Sequence, residues 1–233
     1  MSARGTSARP IVRRLALVPA AALALALALP ATGAGAAPQK TCAKLKGKHL
    51  SAKGGRATVV TQLLNRESER SGIERVAYVC ASAHARAWRV GSASEESSIS
   101  VVTGAGEWVV LRFDSVEGLG ESESESAADA LNGKHFEFWR RSGGEGSYSG
   151  DVLEAVKLDS QGRVVLITGV AGAAPPEQEV GSTVTRKVIG VEPNGKRKLL
   201  DTAPTASIPT SSLQLLAGVV HWTDAGVERT AAP

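Results

Sequence analysis

The sequence predicts an all-β protein built from antiparallel hairpins, on three observations. Short runs rich in Val, Ile, Leu and Trp, with partial alternation, are punctuated by Gly, Asn, Asp and Ser. Turn signatures of an acid, two turn residues, a glycine and a base recur along the chain. No window of about eleven residues carries a capped helical stripe.

Residues 1–36 read as an export signal. Arg4, Arg9, Arg13 and Arg14 precede an apolar run from Leu15 to Leu29, and Ala34-Gly35-Ala36 supplies a small-residue cleavage site. The run is shorter than the roughly 20 residues of a membrane span, so no membrane association is expected after cleavage. The pair Arg13-Arg14 raises folded export, but Val12 before it and Ala16 after it favour general secretion. The signal removes four of the 27 basic residues and none of the 23 acids, leaving 23 against 23. A near-neutral chain has no net basic excess to release counterions from phosphates, so nucleic acid is not an expected partner.

Residues 37–233 suit a single β domain. Strands are expected at Ala57–Leu63, Arg75–Cys80, Arg86–Gly91, Ser98–Thr103 and Glu107–Phe113, then at Lys134–Arg140, Asp151–Leu158, Arg163–Thr168, Thr183–Val191 and Lys196–Leu200. The last are Ser212–Leu216, Val219–Thr223 and Val227–Thr230. Two stretches read as loops. Residues 116–132, with Glu121-Ser122-Glu123-Ser124-Glu125-Ser126, should repel themselves into an acidic flexible loop, and Ala171–Gly181 carries Pro175-Pro176.

The hairpin signatures at Val156–Val164 and Ile189–Arg197 look related, and a third hairpin follows at Val220–Val227. Their starts lie 33 and then 31 residues apart. Such a period, made of strands, predicts a propeller-like array of about four small sheets, not necessarily closed; a β-sandwich is the alternative. Cys42 and Cys80, an even pair in an oxidising compartment, predict one disulfide in preference to two free thiols or a lipid anchor on Cys42.

Chemistry is harder to find. Gly190–Arg197 nearly matches a phosphate loop, but Arg197 stands where the hydroxyl belongs and no helix follows, so a hairpin explains it. His49, His84, His135 and His221 are the histidines. His135 and Glu137, two apart on a strand, would face one side, but no third metal ligand is placed by sequence. Gly146–Gly150 centres on Tyr148 and reads as a turn, so it is no nucleophile elbow. Of Trp88, Trp108, Trp139 and Trp222, at least half should be core, and Trp139, followed by Arg140-Arg141, is the one expected to be partly exposed. Trp139, Arg140, His135 and Glu137 are therefore the candidate ligand surface. No catalytic residue and no cofactor are indicated.

At its two ends the chain resembles a group of exported, functionally unassigned actinobacterial proteins. The likeness lies in Cys42-Ala43-Lys44-Leu45-Lys46-Gly47-Lys48 and Val79-Cys80, then in Leu199-Leu200-Asp201, Ser212-Leu213-Gln214-Leu215, Val220-His221-Trp222 and Gly226. The resemblance implies propeller-type repeats and brings no activity. The expectation is an extracellular, non-catalytic binding module for an unknown ligand or cell-surface component; the alternative is a secreted hydrolase of cell-wall or other polysaccharide.

Overall fold

The computed structural model describes residues 40–65, 73–117, 120–144, 147–149, 151–171 and 183–233. The expected signal at 1–36 and nearly all of the expected loop at 171–181 lie outside them. Among the described residues sixteen strands form four antiparallel sheets that follow one another along the chain. The first is β1 (Lys48–Ser51), β2 (Thr58–Asn65), β3 (Ile73–Cys80) and β4 (Trp88–Ser94). The second is β5 (Ser98–Ala105), β6 (Trp108–Glu117), β7 (Gly120–Asp129), β8 (His135–Gly144) and β9 (Ser147–Ser149). The third is β10 (Val152–Leu158), β11 (Val164–Ala171), β12 (Thr183–Val191) and β13 (Arg197–Pro204). The last is β14 (Gln214–Leu216), β15 (Val219–Asp224) and β16 (Val227–Ala231). In each, spatial order equals chain order, so every sheet is a meander. The only helices among the described residues are two single 3-10 turns.

Period-two alternation explains how the sheets pack. In β6, Val109, Leu111 and Phe113 join Val59, Ala77 and Val79 of the first sheet, while Trp108 and Val110 turn to the third. In β11, Val164 and Leu166 face the second sheet, while Val165 and Ile167 meet Ile208, Leu213, Val220 and Trp222. Strands buried on both faces read as unbroken apolar runs, as in Val164-Val165-Leu166-Ile167. On the far face of the first sheet, Cys42 and Leu45 pack on Val60 and Cys80, and the disulfide Cys42–Cys80 pins that cover in place. No apolar cluster among the described residues joins the fourth sheet back to the first. The array is open.

The expected repeat length needs correction. The turns at Asp159–Arg163 and Glu192–Lys196 do match bond for bond. The amides of Gly162 and Asp159 donate to Asp159 and Arg163 carbonyls, and those of Gly195 and Glu192 donate to Glu192 and Lys196 carbonyls. But both turns belong to the third sheet, where alternate turns of one meander fall at the same end. The second strands of the four sheets start at Thr58, Trp108, Val164 and Val219, so the sheets repeat every 50, 56 and 55 residues.

A second correction concerns 116–132. The alternation Glu-Ser-Glu-Ser is strand β7, paired on both sides along its length. The glutamates find cations on neighbouring strands. Glu125 lies against Arg112, and Glu123 accepts from Arg141 Nε at 2.7 Å. The expected turn at Ser147–Ser149 is also a short edge strand, paired to Ser142–Gly144.

Candidate functional site

The site lies where two sheets of unequal width meet. β4 packs over β6, and Gly91 makes the approach close, since a Cβ there would stand 2.6 Å from the Phe113 ring. β4 is the last strand of its sheet, whereas the second sheet continues through β7 and β8. The uncovered part of that face forms a groove of about 670 Å³.

One wall is Val90, Gly91, Ser92 and Ala93. Side chains alternate across a strand, so four consecutive residues reach one cavity through the strand's edge. The floor carries Ser122, Ser124 and Ser126, which share the β7 face opposite the glutamates and recur about every 7 Å. All three are half-buried, and among the described residues none of their hydroxyls has a hydrogen-bond partner. On the far side stand His135, Glu137 and Arg140 of β8. Arg140 Nη2 donates to Glu137 Oε2 at 2.8 Å, so the two charges neutralise each other. His135 Nδ1 faces the Gly133 carbonyl at 3.0 Å and must donate to it, which leaves Nε2 of the neutral ring as an acceptor. Phe113 supplies the apolar part, and Phe136 borders the groove while its ring packs on the other face against Trp108.

Three of the four candidate surface residues thus meet in this groove. Trp139 does not; it is 5% exposed, packs on the other face against the third sheet, and donates from Nε1 to the Asp151 carbonyl at 3.0 Å. A β-bulge in β8 opposite Glu125 and Ser126 turns Phe138 and Trp139 into the same cluster, which the flanking arginines could not reveal. Trp108 and Trp222 are also buried, and half-buried Trp88 lies under the Arg86 guanidinium at 3.8 Å. The Ser-x-Ser-x-Ser alternation was the overlooked signal of the floor.

The neighbouring junction makes a useful contrast. Between the second and third sheets the space is filled by Trp108, Phe136, Phe138 and Trp139, leaving a cavity of only about 150 Å³. Serines and a glycine line one junction where aromatics plug the next.

Behind the groove floor, on the face toward the third sheet, lies a buried ion pair. Arg112 Nε and Nη2 both donate to Glu125 Oε1, at 2.9 and 2.6 Å, and Glu125 is fully buried. Its Oε2 has no partner among the described residues. Burial pushes the Glu125 carboxyl above its ordinary range, more than Arg112 pulls it down; Glu123 and Asp114 add to the rise. Arg112 pays a desolvation penalty of its own, yet Glu125 holds it more tightly protonated than usual.

Among the described residues no three His, Cys, Asp or Glu side chains are grouped to hold a metal. Gly190–Arg197 forms the hairpin turn expected of it. No helix among the described residues is long and apolar enough to cross a membrane. No family model matches the chain, and no curated protein matches it either.

Proposed function

We propose that this chain is an extracellular binding module and that the groove between the first and second sheets is its ligand surface. The observation that carries the reading is the set of hydroxyls of Ser122, Ser124 and Ser126, without partners among the described residues, beside the Glu137–Arg140 pair, in an open groove where the adjacent junction is largely filled by aromatic side chains. Ligand sites commonly combine such concavity with a few convergent polar groups. Hydrolysis of a polysaccharide fits the groove less well. That chemistry needs two carboxylates about 5 to 10 Å apart, and the lining contains one, Glu137, held by Arg140. The Cys42–Cys80 bridge suits an oxidising compartment.

The test begins with protein recovered from the culture medium of an expressing host, whose N-terminus should begin at Ala37. It is then incubated with isolated cell-envelope material. Retention that is lost when Ser124→Trp fills the groove supports the reading. Release of reducing ends without retention would replace it with hydrolysis.

A further inference from the structure

We infer that the groove receives an extended peptide, added as a strand along the free edge of β4; this rests on the groove being the ligand surface. Three features point to that occupant. First, β4 ends its sheet, and residues 91–93, which follow a β-bulge at Val90, make no backbone hydrogen bond outside it among the described residues, so alternate N–H and C=O groups there face the groove unpaired. Second, a fifth strand on the first sheet, about 4.8 Å beyond β4, would lie over β8 and the Ser122–Ser126 part of β7, which line the groove, whereas Ala128 of β7 is already buried against the first sheet. It would extend the interface already formed by Val79, Val90, Leu111 and Phe113. Third, the floor repeats every second residue, as a peptide strand does, and its serines are small enough to leave room for the incoming side chains. Lining with no net charge and hydroxyls that both donate and accept suits a neutral segment with small polar or apolar side chains at alternate positions.

The probe is a random heptapeptide library displayed on phage and panned on the purified protein. A selected peptide should bind the wild type, perturb the backbone amide resonances of residues 90–93, and lose at least about tenfold in affinity to Ser124→Trp, equivalent to about 1.4 kcal/mol. N-methylation of alternate peptide amides should abolish binding in one phase and spare it in the other, because an added strand uses every second N–H. The variant's unchanged thermal midpoint excludes misfolding as the cause. Failure to select any peptide that depends on Ser124, or an equal effect of methylation in both phases, overturns the peptide assignment. If envelope material is still held in a Ser124-dependent way and neutral oligosaccharides compete for it, the groove remains a binding site but its ligand is a saccharide. If nothing is held in a Ser124-dependent way, both readings fall together.

Discussion

Replacing Arg112 by Met should be the most informative single change, because it strands a carboxylate in the interior. Glu125 has no exposure, and both bonds from Arg112 converge on Oε1, so removing Arg112 leaves neither oxygen partnered among the described residues. Breaking a buried pair in this way costs about 3–5 kcal/mol, and since Arg112 is itself 37% exposed the lower end, about 3 kcal/mol, is the expectation near neutral pH. For a chain of this size that corresponds to a fall of about 6–12 °C in Tm. The sign of the pH dependence follows from the raised carboxyl. Above its ordinary value of 4.5, folded Glu125 keeps a proton that the unfolded chain has released, so its contribution to stability falls as pH rises through the native value. Without Arg112 the native value climbs further, so the deficit against wild type should be larger at about pH 8 than at about pH 5. Urea denaturation followed by tryptophan fluorescence measures this directly, since Trp139 lies opposite Glu125 in the adjacent strand. Arg112→Met combined with Glu125→Gln should recover at least half of the loss. A deficit that is equal at both pH values, or a double variant no more stable than the single, would refute the account of a stranded charge.

Three further outcomes are expected. Cys42→Ser with Cys80→Ser removes a bridge spanning 38 positions, which the chain-entropy estimate values at about 4 kcal/mol; calorimetry against the oxidised protein measures it, and mass spectrometry without reductant should find no free thiol. Gly162→Ala should cost at least about 2 kcal/mol, because the residue sits at φ +81° and a Cβ would enter the Trp108 indole; a thermal midpoint within error of wild type would contradict that geometry. Ala225→Asn should stabilise by about 0.5–1 kcal/mol, since Ala225 holds φ +49° ahead of Gly226 in the tight turn between β15 and β16, and Asn tolerates that conformation better.

Much of the architecture was readable from local pattern. Thr183–Val191 is bounded as expected, and the other twelve expected strands are present with ends displaced by a few residues. What local pattern could not supply were partners distant along the chain. The glutamates of β7 looked self-repelling because their cations, Arg112 and Arg141, stand 13 and 18 positions away and become neighbours only through strand pairing. Trp139 looked exposed because a bulge, invisible in composition, rotates it inward. For the groove, His135 and Glu137 could be named from spacing and Arg140 from its place after Trp139, whereas its existence depends on one sheet being narrower than the next, a property of no single segment.

The division of the interior into separate apolar clusters has a mechanical consequence. Among the described residues no buried side chain belongs to two of them, so a perturbation in one reaches the next through shared backbones, those of β6 and β7 between the first two clusters and those of β11 and β12 between the second and third, whose alternate positions serve different neighbours. Those strands act as the struts between compartments. Damage at Ile208 should therefore be felt locally and leave the Val59 region undisturbed, as in a row of bays that share walls but not contents.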